Sequence, residues 1–312
     1  MKNNLAIVIP AYKINFFKDV MESLCNQTCK DFNVYIGIDA CDSDFESVIC
    51  QYDSSLNIIY KRFDTNLGRK DLVAQWDRCI KLIGDEEWIM LFSDDDMLDC
   101  RCVEYFYKEL ATNNDKYNLY HFDVDVIDED NNIKRQTKLY PEVYDSTTFL
   151  KHKCSARIES FVVEYIFRRT TFDAVGGFER FDMAWGTDIA TWAKLGCERG
   201  IKTISGSKVM WRESSVNITP DVTKARIVRK LQADACFLEW CRSHFNGITL
   251  SDTYYYMFRL LFHYSPYMKK NDLPVEVKSF YKVSFAGGII CHCIMALYPV
   301  LRIISNSRHH SS

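Results

Sequence analysis

Hydrophobic positions along the first hundred residues switch repeatedly between two periods. Residues 5–10, LAIVIP, form an unbroken apolar run, rich in β-branched side chains and closed by proline, which predicts a strand covered on both faces. Phe16, Phe17, Val20 and Leu24 then recur at helical spacing, with Asn15 placed to cap the start and NQTCKDF breaking the pattern. NVYIGID, ending at Asp39, reads as a second buried strand and LNIIYKRF as a third. RKDLVAQWDRCIKLI places Leu72, Trp76, Cys79, Ile80 and Ile83 on one helical face, and EWIMLF follows as a fourth strand. Strand, helix, strand in this order predicts βαβ units with parallel strands, so the expected class is α/β.

In open sheets of this kind, ligands collect beyond the carboxyl ends of the strands. Pro10 to Tyr12, Asp39 and the triplet Asp94, Asp95, Asp96 all stand at such ends. Adjacent carboxylates behind a buried strand repel one another unless a cation compensates them. Oxygen-only ligands select a hard divalent ion, Mg²⁺ or Mn²⁺, held by one or two carboxylates and completed by substrate phosphates. A solvated acidic loop is the competing reading of the triplet alone. Neither G-x-G-x-x-G nor G-x-x-x-x-G-K-[ST] is present, and IPAYKIN stands where a glycine-rich phosphate loop would be. A diphosphate bound here would therefore be held by metal and side chains.

Composition narrows the class further. A chain of 312 residues, 47% hydrophobic and 26% charged, is globular, and its net charge of −3 argues against a nucleic-acid partner. The charge is uneven: from Val216 onward 12 Lys and Arg face 6 Asp and Glu, an excess that predicts contact with an anionic surface. Thirteen cysteines without a C-x-x-C pair read as scattered core thiols, and MKNNLAIVIPAY lacks a signal-peptide pattern, so a cytoplasmic protein is expected.

Taken together, several segments resemble the family 2 glycosyltransferases. LAIVIPAYKINFFKDVMESLCNQTCKDFNVYIGIDACDSD matches the family's opening strand, Pro-x-Tyr turn, helix, Asn-Gln-Thr and strand ending in aspartate. NLG at 66–68, FSDDD at 92–96, IFRRTTFDAVGGFERF at 166–181 and WGTDIATW at 185–192 follow in the family's order. The resemblance spans about residues 5–215 and implies a GT-A-like fold, with a mixed, mostly parallel central sheet, flanking helices and a helical C-terminal extension. It divides the chain into a nucleotide-sugar-binding half, 1–110, an acceptor-binding and catalytic half of the same domain, 111–215, and the extension, 216–312.

Residue by residue, the resemblance implies that Pro10, Ala11 and Tyr12 line the nucleoside pocket, Tyr12 stacking on the base, and that Asp39 accepts a hydrogen bond from it. Arg69 or Lys70 approaches the base or phosphates, Asp94 the ribose, and Arg212 the diphosphate from a mobile segment, VMWRESSVN, at 209–217. Asp95 is the metal ligand, supported by Asp96, with either Ser93 or Asp94 opening the Asp-x-Asp motif. Asp188, four residues before Trp192, matches the catalytic base; from spacing alone it reads equally as a helix N-terminal acid. Thr187 stands where the family has glutamate, which leaves the acceptor type open.

Thr170 and Asp173 form a weak capping box, and Gly176 with Gly177 is suited either to the positive φ that ends a helix and lets the backbone pass close to the donor sugar or, equally, to a plain turn. Trp185 is either a core residue or a sugar platform. In the extension, Ile227, Val228, Leu231, Ala235 and Leu238 make one helical stripe, and FAGGIICHCIMALYPVLRII is of borderline length for spanning a membrane, better suited to a core or interfacial helix. The expected function is inverting transfer of a sugar from a nucleotide diphosphate, a UDP-sugar, to a glycan or polyprenyl-linked acceptor in surface polysaccharide synthesis. Its rivals are a sugar nucleotidyltransferase, for which the glycine-rich first loop is lacking, and a glycan-binding relative without turnover.

Overall fold

Strand β1 (Leu5–Ala11) shows why its sequence is apolar throughout: Leu5, Ile7 and Ile9 enter one core cluster while Ala6 and Val8 enter another across the sheet. The computed structural model describes residues 4–114, 116–214, 222–264, 267, 280, 283 and 285–297. After β1 come α1 (Phe17–Cys25), β2 (Phe32–Ile38), α2 (Phe45–Ile49), β3 (Ile58–Arg62), α3 (Leu72–Ile80), β4 (Trp88–Leu91) and β5 (Met97–Leu98). Next are α4 (Cys102–Thr112), β6 (Leu119–Ile127), β7 (Ile133–Gln136), β8 (Val143–Tyr144), α5 (Ser146–Cys154), β9 (Tyr165–Arg168) and α6 (Arg169–Ala174). The series ends with α7 (Thr187–Leu195), β10 (Ile201–Arg212), α8 (Lys224–His244), α9 (Leu250–Tyr264) and α10 (Phe285–Ala296).

One mixed sheet runs through residues 5–212, in the order β3-β2-β1-β4-β9-β6-β10-β5, with β7 beside β6 and β8 beside β10. From β3 to β4 neighbours are parallel, as the βαβ pattern predicts, while β9 runs antiparallel to both β4 and β6. The two predicted halves therefore share a single sheet. In α1, Phe17, Val20, Met21 and Leu24 are buried, but the helix begins at Phe17 with no side-chain cap, so Asn15 does not serve as one. Asp71 caps α3 by accepting from Ala74 N at 2.9 Å. The Thr170/Asp173 capping box does not form, because α6 starts one residue before Thr170 and its N-terminus carries no side-chain bond. Strand β3 lies at the sheet edge, with Ile59 and Tyr60 exposed.

In the C-terminal extension, Ile227, Leu231, Ala235 and Leu238 of α8 are buried against the main core, as the stripe predicts. The apolar segment near the end forms α10, 12 residues long; its continuation from Tyr298 lies outside the described residues. Among the described residues no helix is long and apolar enough to cross a membrane.

Candidate active site

The parallel register brings three strand ends together. Val8 pairs with Leu91 and Ala11 with Ile38, so the residues after β1, β2 and β4 share one rim. Asp94 Oδ2 accepts from the backbone N–H groups of both Tyr12 and Lys13, each at 2.6 Å, and so fixes the turn that follows β1. This leaves the Tyr12 ring 51% exposed at the mouth of a cavity of about 840 Å³. Lys13, Ala40, Asp42, Phe63 and Arg69 also line that cavity. Pro10 and Ala11, expected to line the pocket, are not among the residues that face it; they end β1, and Ala11 is buried in the core. Lys70 is exposed beside it.

Asp39 stands at the end of β2, as predicted, but its oxygens are engaged within the protein. Oδ1 accepts from Leu67 N at 2.8 Å and from the Arg78 guanidinium at 2.5 Å, and Oδ2 accepts from Gly68 N at 2.8 Å. A Cβ on Gly68 would lie 2.9 Å from Asp39 Oδ2, so glycine is what lets the Asn66–Gly68 turn close over the carboxylate. Asp39 thus organises the turn that places Arg69 on the cavity wall.

Asp94, Asp95 and Asp96 are all buried. Burial, with repulsion from Asp95, holds the carboxyls of Asp94 and Asp96 above the usual carboxylate range. Lys13 is the cation they share: its ammonium is bonded to Asp95 Oδ2 and lies 3.9 Å from Asp94 Oδ1. Sequence reading passed over Lys13, although a single cation directly after Pro-Ala-Tyr, facing three carboxylates, was a signal of charge balance. Asp96 accepts from Ser93 Oγ and from Arg212 N, both at 2.6 Å. Arg212 is fully buried beneath the cluster, its guanidinium donating to the Asp95 and Asp128 carbonyls at 2.7 and 2.9 Å and to Asp19 at 3.1 Å, with Phe16 stacked 4.3 Å away. It supports the carboxylates from below. Of the expected mobile segment, residues 215–217 lie outside the described residues.

A divalent ion suits this donor set in a limited way. Among the described residues no three His, Cys, Asp or Glu side chains form a cage. Asp95 Oδ1 accepts no hydrogen bond from the described residues, so one carboxylate oxygen is left for an ion that takes most of its ligands from water and a diphosphate, while Lys13, Arg62 and Arg69 line the adjoining cavity. Replacing Lys13 by Met should cost about 3 kcal/mol in EDTA, because it leaves buried carboxylates uncompensated. Urea unfolding would show this loss, and Mn²⁺ should restore part of it; an unchanged midpoint would mean that Lys13 carries no such duty.

Asp188 occupies the first turn of α7. Ile166 of β9 pairs with Met90 of β4, and because the strands are antiparallel, Glu164, just ahead of β9, falls at the rim where β4 ends. Asp188 lies close enough to Glu164 for its charge to raise that carboxyl further. Burial raises the Asp188 carboxyl above its usual range, and the nearby Lys153 ammonium opposes the shift. Glu164, another residue the sequence reading missed, is fully buried and accepts from Phe161 N at 2.7 Å, and desolvation pushes its carboxyl well above the usual carboxylate range. Thr187, in place of the expected glutamate, accepts from Phe181 N at 3.3 Å.

Gly176 and Gly177 take positive φ, +84° and +79°, as their sequence predicts. Trp185 is half-buried; its indole N–H donates to Asp234 of α8 at 3.1 Å.

With this geometry in view, the sequence pattern described as "Glycosyl transferase family 2" matches residues 6–171, more than half the chain. The chain belongs to that family. The glycosyltransferase also resembles solved structures in fold. S. aureus TarS 1–349 in complex with UDP is 12% identical, covering 100% of this chain and 92% of that one, with a TM-score of 0.55. The UDP-GlcNAc complex of the same TarS piece is 13% identical over 98% and 92% of the two chains, TM-score 0.55, and S. aureus TarS is 14% identical over 97% and 55%, TM-score 0.57. At these identities the likeness is one of GT-A-like fold. No curated protein sequence matches the chain.

Proposed function

We propose that this glycosyltransferase transfers a sugar with inversion from a UDP-sugar to a glycan or lipid-linked acceptor in surface polysaccharide synthesis. The observation that carries this reading is the shared rim. A cavity faced by Tyr12 and Arg69 adjoins the buried carboxylates, and a separate half-buried carboxylate, Asp188, stands along the same edge of the sheet. In this reading Tyr12 stacks on the base, the Asp39-anchored turn shapes the base pocket, Arg69 approaches the base or phosphates, and Asp94 holds the turn against the ribose. Asp95, backed by Asp96 and Arg212, holds Mg²⁺ or Mn²⁺, which when bound offsets the charge of the departing diphosphate. Gly177 and Trp185 border the donor and acceptor sugars.

Single-step inversion needs a base beside the acceptor hydroxyl, on the face opposite the leaving group, so the base is distinct from the metal cluster. Asp188 suits the part. At the start of α7 the helix dipole favours its ionised form, and burial strengthens its basicity. The fold likeness to TarS bound to UDP and UDP-GlcNAc supports a uridine donor. The cation excess after Val216 supports approach to an anionic membrane face, where lipid-linked acceptors are presented. The test is a screen of nucleotide sugars for release of the nucleoside diphosphate with glycan acceptors present. Release of UDP with a β-product from an α-linked donor is the expected result; retention of configuration, or release from no donor, would overturn the assignment.

A further inference from the structure

Helix α8 lies beyond the family-matched residues, yet it grips the segment leading into Asp188. That segment has an unfavourable backbone. Met183 and Ala184 both have φ +58° and Gly186 has φ +87°; left-handed geometry at residues with a Cβ persists only where the surroundings impose it.

The surroundings come from α8. Lys230, Asp234 and Phe237 recur at helical spacing and share one face. Lys230 Nζ stands 4.8 Å over the Trp185 ring, and Asp234 Oδ1 accepts from Trp185 Nε1 at 3.1 Å and from Tyr256 Oη at 2.7 Å. A Cβ on Gly186 would lie 3.1 Å from the Phe237 ring, so that ring closes the turn against the helix. One residue before Lys230, Arg229 donates to both oxygens of Asp182 at 2.8 and 2.6 Å. Asp234 and Lys230 are both buried, a costly arrangement that plain helix packing does not require. The clamped turn ends at Gly186, whose carbonyl accepts from Ala190 N at 3.0 Å and so starts α7, the helix that carries Asp188 in its first turn.

We propose that α8 positions the base: Asp234 through Trp185, and Arg229 through Asp182, hold the left-handed turn that sets where Asp188 stands. The inference rests on the reading of Asp188 as the base and adds that residues of the C-terminal extension are positioning residues for it. Asp234 does not touch substrate.

The test uses the full chain and three variants, Asp234→Leu, Asp234→Asn and Arg229→Ala. Two readouts are taken: backbone hydrogen exchange over residues 182–190, and kcat and KM for UDP release from UDP-GlcNAc. Asp234→Leu should speed exchange across that segment and lower kcat by about 10²-fold, the effect of a small misplacement of a catalytic group, with a much smaller change in KM and unchanged UDP affinity. Asp234→Asn, whose carbonyl still accepts from the indole, should rescue most of the rate. Arg229→Ala breaks an exposed pair that unfolding does not threaten, and should lower kcat by about two- to fivefold. Native exchange in both Asp234→Leu and Arg229→Ala, or equal changes in kcat and KM, would overturn the proposal. If Asp234→Leu does not fold, Arg229→Ala decides by the same readouts. If the native protein does not release UDP from UDP-GlcNAc, exchange alone decides, faster supporting the clamp and unchanged refuting it. Native-like turnover by Asp188→Asn, by contrast, would remove the base and leave the clamp to stand or fall on exchange.

Discussion

Replacing Asp188 by Asn should leave UDP binding near native and cut sugar transfer by about 10²- to 10⁴-fold, the usual contribution of a positioned base. The substitution keeps the size of the side chain and removes only its capacity to take a proton. As a helix N-terminal residue Asn serves nearly as well as Asp, so a purely capping role would leave activity intact. The same account sets a pH dependence. The base acts when ionised, and burial raises its pKa while Lys153 lowers it, so the acid limb of kcat should lie above the usual carboxylate range. Lys153→Met removes the opposing cation, raises that pKa further and should move the limb to higher pH. Near-native transfer by Asp188→Asn would take the residue out of the mechanism, and lost UDP binding would move it to the donor site.

Asp95→Ala should reduce UDP affinity in Mn²⁺ to the level that the native protein shows in EDTA. Among the described residues, Asp95 Oδ1 accepts no hydrogen bond and Asp94 Oδ1 has only the Lys13 ammonium 3.9 Å away, whereas both oxygens of Asp96 are taken by Ser93 and Arg212. The fold should survive, since removing one of three buried carboxylates thins their repulsion. Calorimetry of UDP binding with and without Mn²⁺ reads the effect directly. A variant that keeps the native metal dependence would place the ion elsewhere.

The parts of the fold legible in the sequence were those whose local pattern has one physical reading. β1 is buried on both faces and is apolar throughout; Gly176 and Gly177 take the backbone that glycine alone adopts freely. Buried charges were not legible, because an Arg, Lys or Asp reads as solvated until its partners are known. Arg212 looked like a mobile phosphate contact and is enclosed under the carboxylates. Lys230 and Asp234 lie off the apolar stripe through Leu231 and Leu238, and nothing local marks them as buried, yet both are enclosed beside Trp185. Asp39 was found at the strand end expected for it, but its bonds depend on Leu67 and Gly68, in a turn 28 and 29 residues away, and on Arg78 of α3, 39 residues away. Such contacts are set by topology, which periodicity predicts only coarsely.

The central claim is a diphosphate site completed by a divalent ion, and thermal unfolding of the native protein with UDP tests it most directly. With Mn²⁺ and UDP at a hundredfold excess over its dissociation constant, stabilisation should be roughly 2.7 kcal/mol, a clear rise in melting temperature. In EDTA the same UDP should give almost none, because the carboxylates and the diphosphate then repel each other. Equal stabilisation in EDTA, or none in Mn²⁺, would contradict the account.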